Sequence, residues 1–139
     1  MNTSALKTFA QETRKKLVSS IKTRMNYILT EDTAELRGKQ KEINTLRKEI
    51  ADKGEKNVVE EVTYTWFNRV MALRFMDANG YNVPMVITPA AGQIRPEILQ
   101  EAMGGNIDEN LGISLDILRK DEEEIYHDLL IAICNQYNN

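Results

Sequence analysis

The sequence predicts an all-α protein. Apolar residues recur at helical spacing over most of the 139 residues, residues suited to helix ends flank these stretches, and a short β-prone run occurs only at 85–88. We expect a single helical domain over 1–139, in which a long N-terminal helical hairpin packs on a central buried helix and a C-terminal helix. The pattern allows one short edge strand near 85–88.

Residues 1–53 are predicted to form a basic helical hairpin. Ser4 suits the N-cap of a first helix of about 25 residues, which ends near 30–32. A second, polar helix is expected from there to about Asp52, with Gly54 as its stop. Its apolar positions form only a thin seam, which consists of Leu36, Ile43, Leu46 and Ile50.

Residues 57–79 are predicted to form the central helix. Its apolar residues lie nearly all round the helix, which is typical of a helix buried among neighbours. Gly80 suits the left-handed residue that ends it. The apolar positions are Val58, Val59, Val62, Trp66, Phe67, Val70, Met71, Leu73 and Phe75.

The remaining chain completes an apolar helical core over 57–139. Residues 81–95 are predicted to be a loop, and Pro96 suits the first turn of a short helix that Gly104 ends. The final helix starts near Asp121 with acidic residues at the positive end of its dipole. It is expected to bury Ile125, Leu129, Leu130, Ile133 and Tyr137.

Composition excludes a membrane protein and indicates the cytoplasm. No window approaches the roughly 18 apolar residues of a membrane span, the N-terminus does not resemble a secretory signal, and Cys134 is the one cysteine. Residues 1–56 carry 13 basic residues against 8 acidic ones, whereas 57–139 carry 5 against 13. This asymmetry favours either two halves that attract each other or a basic face for an anionic partner.

The candidates for chemistry are few. Arg69 and Arg74 lie within the predicted central helix, where Arg74 can reach Asp77, and we interpret both as paired residues at the edge of the core. His127 and Cys134 share one face of the last helix, but two ligands do not make a zinc site. We therefore predict no catalytic residue, no cofactor-binding residue and no metal site in this chain.

A basic stripe on the first helix is the clearest binding feature. Lys7, Arg14, Lys15 and Lys22 cluster on one side, and the second helix adds further basic residues with glutamates between them. Such an array attracts nucleic-acid phosphates without regard to base sequence. The same pattern also fits a solvated surface or contact with an acidic protein, so three interpretations stay open.

Four segments carry a resemblance to a known family, in the order and approximate spacing of that family's N-terminus. They read MNTSALKTFAQETRKKL, YTWFNRVMALRFMDANGY, RPEILQEA and LLIAICNQ. On these segments the chain resembles the start of the PglX family, the adenine-specific DNA methyltransferases of BREX phage-defence systems. The resemblance covers essentially the whole chain and is weakest at 81–95 and 104–121. It implies an N-terminal fragment of a longer protein.

The resemblance also implies what this segment lacks. Members of that family transfer a methyl group from S-adenosylmethionine to adenine N6 through an Asn-Pro-Pro-Tyr/Phe motif. None of Pro84, Pro89 and Pro96 follows an asparagine, so no catalytic residue can be carried over. The cofactor is expected in the longer protein only. The implied partners are the catalytic domain of the same chain, double-stranded DNA and other phage-defence proteins.

Two functional hypotheses follow. In the first, the chain is a non-catalytic helical domain of an adenine-N6 DNA methyltransferase, and it helps to hold the duplex or packs against the catalytic domain. In the second, it is a self-contained helical adaptor that binds protein and no nucleic acid. By itself the segment is not expected to methylate DNA.

Overall fold

A computed structural model describes residues 3–137, so the first two and last two residues of the predicted domain lie outside the described chain. The all-α class is confirmed, with a long N-terminal helix and no strand within the described range. The helices are α1 (Thr3–Thr30), α2 (Ala34–Arg37), α3 (Gln40–Lys53), α4 (Glu55–Ala78), α5 (Glu97–Met103) and α6 (Glu122–Tyr137). Two short 3-10 helices, Glu109–Leu111 and Leu115–Arg119, precede α6.

The chain forms two compact units, and the boundary between them falls within α4. The first unit runs to Asn68, and the second begins at Arg69. This boundary lies later in the chain than the predicted change from hairpin to apolar core near residues 53–57. The grouping of 1–139 into one domain stays a prediction.

The first unit is held together by apolar side chains from α1, α3 and α4. Met25, Val58 and Val59 are its most buried members. The predicted seam of the second helix contributes Leu46 and Ile50 to this cluster, so it joins the core of the unit. The half-buried members from α1 and α4 are Val18, Ile21, Leu29 and Val62.

The predicted second helix is broken, which the sequence analysis missed. Thr33 caps α2 by accepting a hydrogen bond from the Leu36 N–H at 3.2 Å. Helix α2 then stops before Gly38, and Lys39 leaves the helical conformation. Glycine is a poor helix former. At the break, the Leu36 carbonyl accepts hydrogen bonds from the Lys39 N–H and from the side-chain amide of Gln40.

The prediction that α4 is buried nearly all round is wrong. Val58, Val59, Val70 and Leu73 are buried, but the side chain of Phe75 is 63% exposed. An apolar sequence pattern reports which residues tolerate burial, whereas the packing partners decide which of them are covered.

The end of α4 is as predicted. Gly80 has φ +71°, and its N–H donates to the Asp77 carbonyl. The Tyr81 N–H donates to the Met76 carbonyl at 2.9 Å, which completes a Schellman motif.

The edge strand allowed near 85–88 is absent. The backbone N–H groups of Val86, Ile87 and Thr88 donate to the side chain of Asp77. With their donors satisfied by one carboxylate, these residues form an irregular segment and have no strand partner.

The second unit has its own apolar core between α5 and α6. Leu99, Ala102, Ile125 and Leu129 are buried there. Of the positions predicted to be buried on the last helix, Leu130 and Ile133 are half-buried. Tyr137 was predicted wrongly: it is 55% exposed, although its hydroxyl donates a hydrogen bond of 2.9 Å to the buried Asn82 side chain.

No helix among residues 3–137 has both the length and the apolar character that crossing a membrane requires.

Candidate nucleic-acid interface

The four predicted contact residues lie on one face of α1. At about 100° per residue, Lys7, Arg14, Lys15 and Lys22 fall within an arc of about 100°. All four are exposed. With a rise of 1.5 Å per residue, they span about 22 Å along the helix axis. We call these four residues the α1 basic face.

No acidic partner neutralises the α1 basic face. Within residues 3–137, none of its four side chains forms an ion pair or hydrogen bond. Some basic residues elsewhere in this unit are engaged: Arg37 lies 2.7 Å from Asp32, and Lys53 lies 3.2 Å from Glu61. The positive charge of the α1 basic face is therefore available to an external anion.

Helix α1 as a whole is strongly basic. Over Thr3–Thr30 it carries six Lys and Arg residues and one acidic residue, Glu12. A partly exposed helix with this balance creates a positive potential that attracts anions. Among the predicted basic residues of the second helix, Arg37 is paired and Arg47 donates to the Leu29 carbonyl at 3.0 Å, while Glu42 and Glu49 lie among the remaining lysines.

The N-terminal half of α1 stands apart from the apolar cluster of its unit. Every α1 residue in that cluster lies at or after Val18. Three members of the α1 basic face, Lys7, Arg14 and Lys15, precede that point. These turns of the helix are therefore not needed for the packing of that cluster and can present their side chains to a ligand.

Sequence analysis named Asp77, in the second unit, only as a residue within reach of Arg74 and missed its hydrogen-bond network. Its buried carboxylate accepts five hydrogen bonds, from the Asn82 amide, the N–H groups of Val86, Ile87 and Thr88, and the Thr88 hydroxyl, all at 2.8–2.9 Å. Burial by itself would raise the pKa of Asp77, but these hydrogen bonds outweigh it and lower the pKa. Asp77 therefore fixes the segment that follows α4.

Two further groups secure the same segment. The Glu97 carboxylate accepts a hydrogen bond from the Met85 N–H, and the Tyr126 hydroxyl donates to the Val86 carbonyl, both at 2.8 Å. Burial, with the nearby charge of Asp77, raises the pKa of Tyr126 far above its ordinary value. The hydroxyl thus stays protonated and serves as a donor.

The other residues considered for chemistry have structural surroundings. Arg74 donates to the Thr88 hydroxyl at 3.2 Å, within the Asp77 network, which fits the structural role predicted for it. Cys134 is buried, whereas His127 is exposed, so the two do not converge on a site. Burial raises the pKa of the Cys134 thiol, although the charge of Arg69 opposes the shift. Within residues 3–137, no three His, Cys, Asp or Glu side chains come together to hold a metal ion.

The fold and the site thus define an all-α protein with a basic, unpaired face on its first helix. The chain is 28% identical, over an alignment of 144 residues, to the adenine-specific methyltransferase PglX of Lacticaseibacillus casei (strain Zhang). The alignment covers 81% of this chain but only 12% of that relative, to which the chain is thus distantly related. No model of a known protein family matches the chain. No solved structure matches it either.

Proposed function

We propose that the chain is a non-catalytic helical domain of an adenine-N6 DNA methyltransferase, and that the α1 basic face grips the phosphate backbone of duplex DNA. The longer protein would bind S-adenosylmethionine and carry out methyl transfer in BREX-type phage defence, in the cytoplasm. The distant relationship to an adenine-specific methyltransferase supports the enzyme class.

One observation carries the DNA contact: four exposed cations on one helix face, with no acidic partner among the described residues. Surface cations that serve only for solubility are commonly interleaved with acids, as on α3. Here the four cations share one side of the helix over about 22 Å, together with Val18, which packs into the apolar cluster of the unit. That length is enough to contact several phosphates of one duplex.

Contacts between the α1 basic face and DNA phosphates would assist adenine methylation. A base must leave the stack before its N6 atom can be reached, and this unstacking costs a few kcal/mol. Phosphate contacts away from the target base fix the position of the duplex and carry no sequence information directly. A helical domain that supplies such contacts would help to offset the cost of extruding the adenine.

A protein-binding adaptor is the second candidate, and a feature of the second unit favours it. Phe75, Tyr81 and Val83 are 63%, 67% and 90% exposed and lie close together in sequence after the middle of α4. Exposed aromatic residues are enriched where proteins bind each other. On this hypothesis the α1 basic face would meet an acidic protein surface.

Charge reversal separates the two candidates. We would measure binding of the 139-residue chain to fluorescently labelled duplex DNA, with Arg14, Lys15 and Lys22 each changed to Glu in a triple variant. A control triple variant changes Lys41, Lys48 and Lys56 to Glu, which alters the net charge equally at exposed positions outside α1. The proposal predicts that only the α1 variant loses binding. Equal loss in both variants, or no binding by the unmodified chain at low salt, would reject the grip.

A further inference from the structure

Gln11 lies at the centre of the α1 basic face. Lys7 precedes it by four residues, and Arg14 and Lys15 follow it by three and four, so all three are its neighbours on the helix surface. At about 100° per residue, its direction lies within about 10° of the middle of the arc that the four cations cover. Gln11 is exposed, and within residues 3–137 its amide forms no hydrogen bond.

The surroundings of Gln11 suit a helix that enters the major groove. That groove is about 12 Å wide and admits an α-helix. Phosphates border the groove, so cations that flank a central residue on the helix would reach the backbone while the central side chain faces the base edges. The apolar cluster of the first unit takes no residue from α1 before Val18, so packing in that cluster does not cover this part of the helix.

The chemistry of the amide selects the base. A glutamine side chain presents one acceptor and one donor group side by side, which matches the N6 donor and N7 acceptor of adenine. Lysine and arginine favour guanine instead, but Lys7, Arg14 and Lys15 point about 40–60° away from Gln11 around the helix, which directs them toward phosphates. Building on the proposed DNA grip, we propose that Gln11 reads the major-groove edge of one adenine, so that the α1 basic face contributes sequence preference as well as affinity.

Selection from a pool of random duplexes tests this inference. The 139-residue chain, Gln11→Ala and the control Gln93→Ala would each be used to enrich bound duplexes, which are then sequenced. Gln93 is an exposed glutamine of the second unit and does not belong to the α1 basic face. Alanine is a good helix former, so Gln11→Ala leaves α1 intact, and circular dichroism verifies this.

The inference predicts that the chain and Gln93→Ala enrich an A·T pair at one position, by roughly five- to 100-fold over G·C. Gln11→Ala should lose that preference while it keeps the salt dependence of binding, because its cations are unchanged. If the chain and Gln11→Ala enrich the same sequences, or if neither enriches any, Gln11 does not read a base. Salt-dependent binding by the chain in that case would still support the proposed grip. If the chain binds no duplex at all, the grip itself is rejected, and this inference with it.

Discussion

The carboxylate of Asp77 accepts a hydrogen bond of 2.8 Å from the backbone N–H of Val86, nine residues further along the chain. The same carboxylate also accepts hydrogen bonds from Ile87 and Thr88. A single side chain near the end of α4 thus replaces the strand partner that residues 86–88 would otherwise need. This arrangement makes the shape of the second unit depend on one buried charge.

Substitution of Asp77 should therefore destabilise the second unit strongly. Asp77→Asn keeps the shape of the side chain but turns one acceptor oxygen into a donor that faces other donors. We expect the free energy of unfolding to fall by about 2–4 kcal/mol, measured by urea denaturation. Asp116→Asn is the matched control: Asp116 is exposed in the same unit, so its change should stay within about 0.5 kcal/mol. Equal effects of the two substitutions would contradict this account.

The lowered pKa of Asp77 also predicts a pH dependence. Its pKa in the folded state lies below the ordinary value of 3.8, so the unfolded chain binds the proton more tightly. The stabilisation is then fully present above that ordinary value and is lost as the pH falls through the folded pKa. Urea midpoints measured at a series of pH values should decline more steeply below about pH 4 in the unmodified chain than in Asp77→Asn. Parallel declines would show that Asp77 does not contribute.

Substitution of Thr63 should raise the free energy of unfolding, in contrast to substitution of Asp77. Thr63 is 1% exposed on α4, and its hydroxyl oxygen is buried without a hydrogen-bond partner. Thr63→Val keeps the branched shape and removes a polar group that lost its water on folding. We expect the substitution to raise the free energy of unfolding by about 1 kcal/mol. A clear loss of stability, by the same urea measurement, would mean that the hydroxyl has a favourable partner in solution.

Two glycines provide a matched pair. Gly80 has φ +71°, and a Cβ added there would meet nothing within 4 Å, so Gly80→Ala should cost about 1–2 kcal/mol through backbone strain alone. Gly38 has φ −74°, and an added Cβ would make an ordinary contact of 3.4 Å with the Glu35 carbonyl. Gly38→Ala should thus be neutral or stabilising, by up to about 1 kcal/mol. Thermal midpoints of the two variants would check the contrast, and shifts of the same sign would refute it.

Much of the helical architecture could be predicted because its signals are local. Gly80 and Pro96 act through their own backbone restrictions, and Asp121 acts within one turn, by accepting a hydrogen bond from the Glu124 N–H at 2.9 Å. The break next to Gly38 was missed because a single glycine does not interrupt the apolar seam on either side of it. The unbroken apolar seam therefore led to the prediction of one unbroken helix where the structure has two.

The Asp77 network could not be predicted from sequence patterns. Most of its donors are backbone N–H groups, which every residue except proline carries, so no residue type marks them. The prediction that Arg74 is held at the edge of the core pointed to the right region, and Arg74 does meet the network at Thr88. The α1 basic face, in contrast, could be predicted, because regular helix geometry alone brings residues 7, 14, 15 and 22 to one side.

The central claim is that the α1 basic face contacts DNA phosphates, and the salt dependence of binding tests it most directly. We would measure the binding constant of the 139-residue chain for duplex DNA across a salt series, beside a variant in which Lys7, Arg14, Lys15 and Lys22 are all Gln. The account predicts that the slope of log Kobs against log salt is smaller in the variant by about 3–4, because each lost phosphate contact removes about 0.9. A slope unchanged by the four substitutions would contradict the claim and leave the α1 basic face as a surface for another partner.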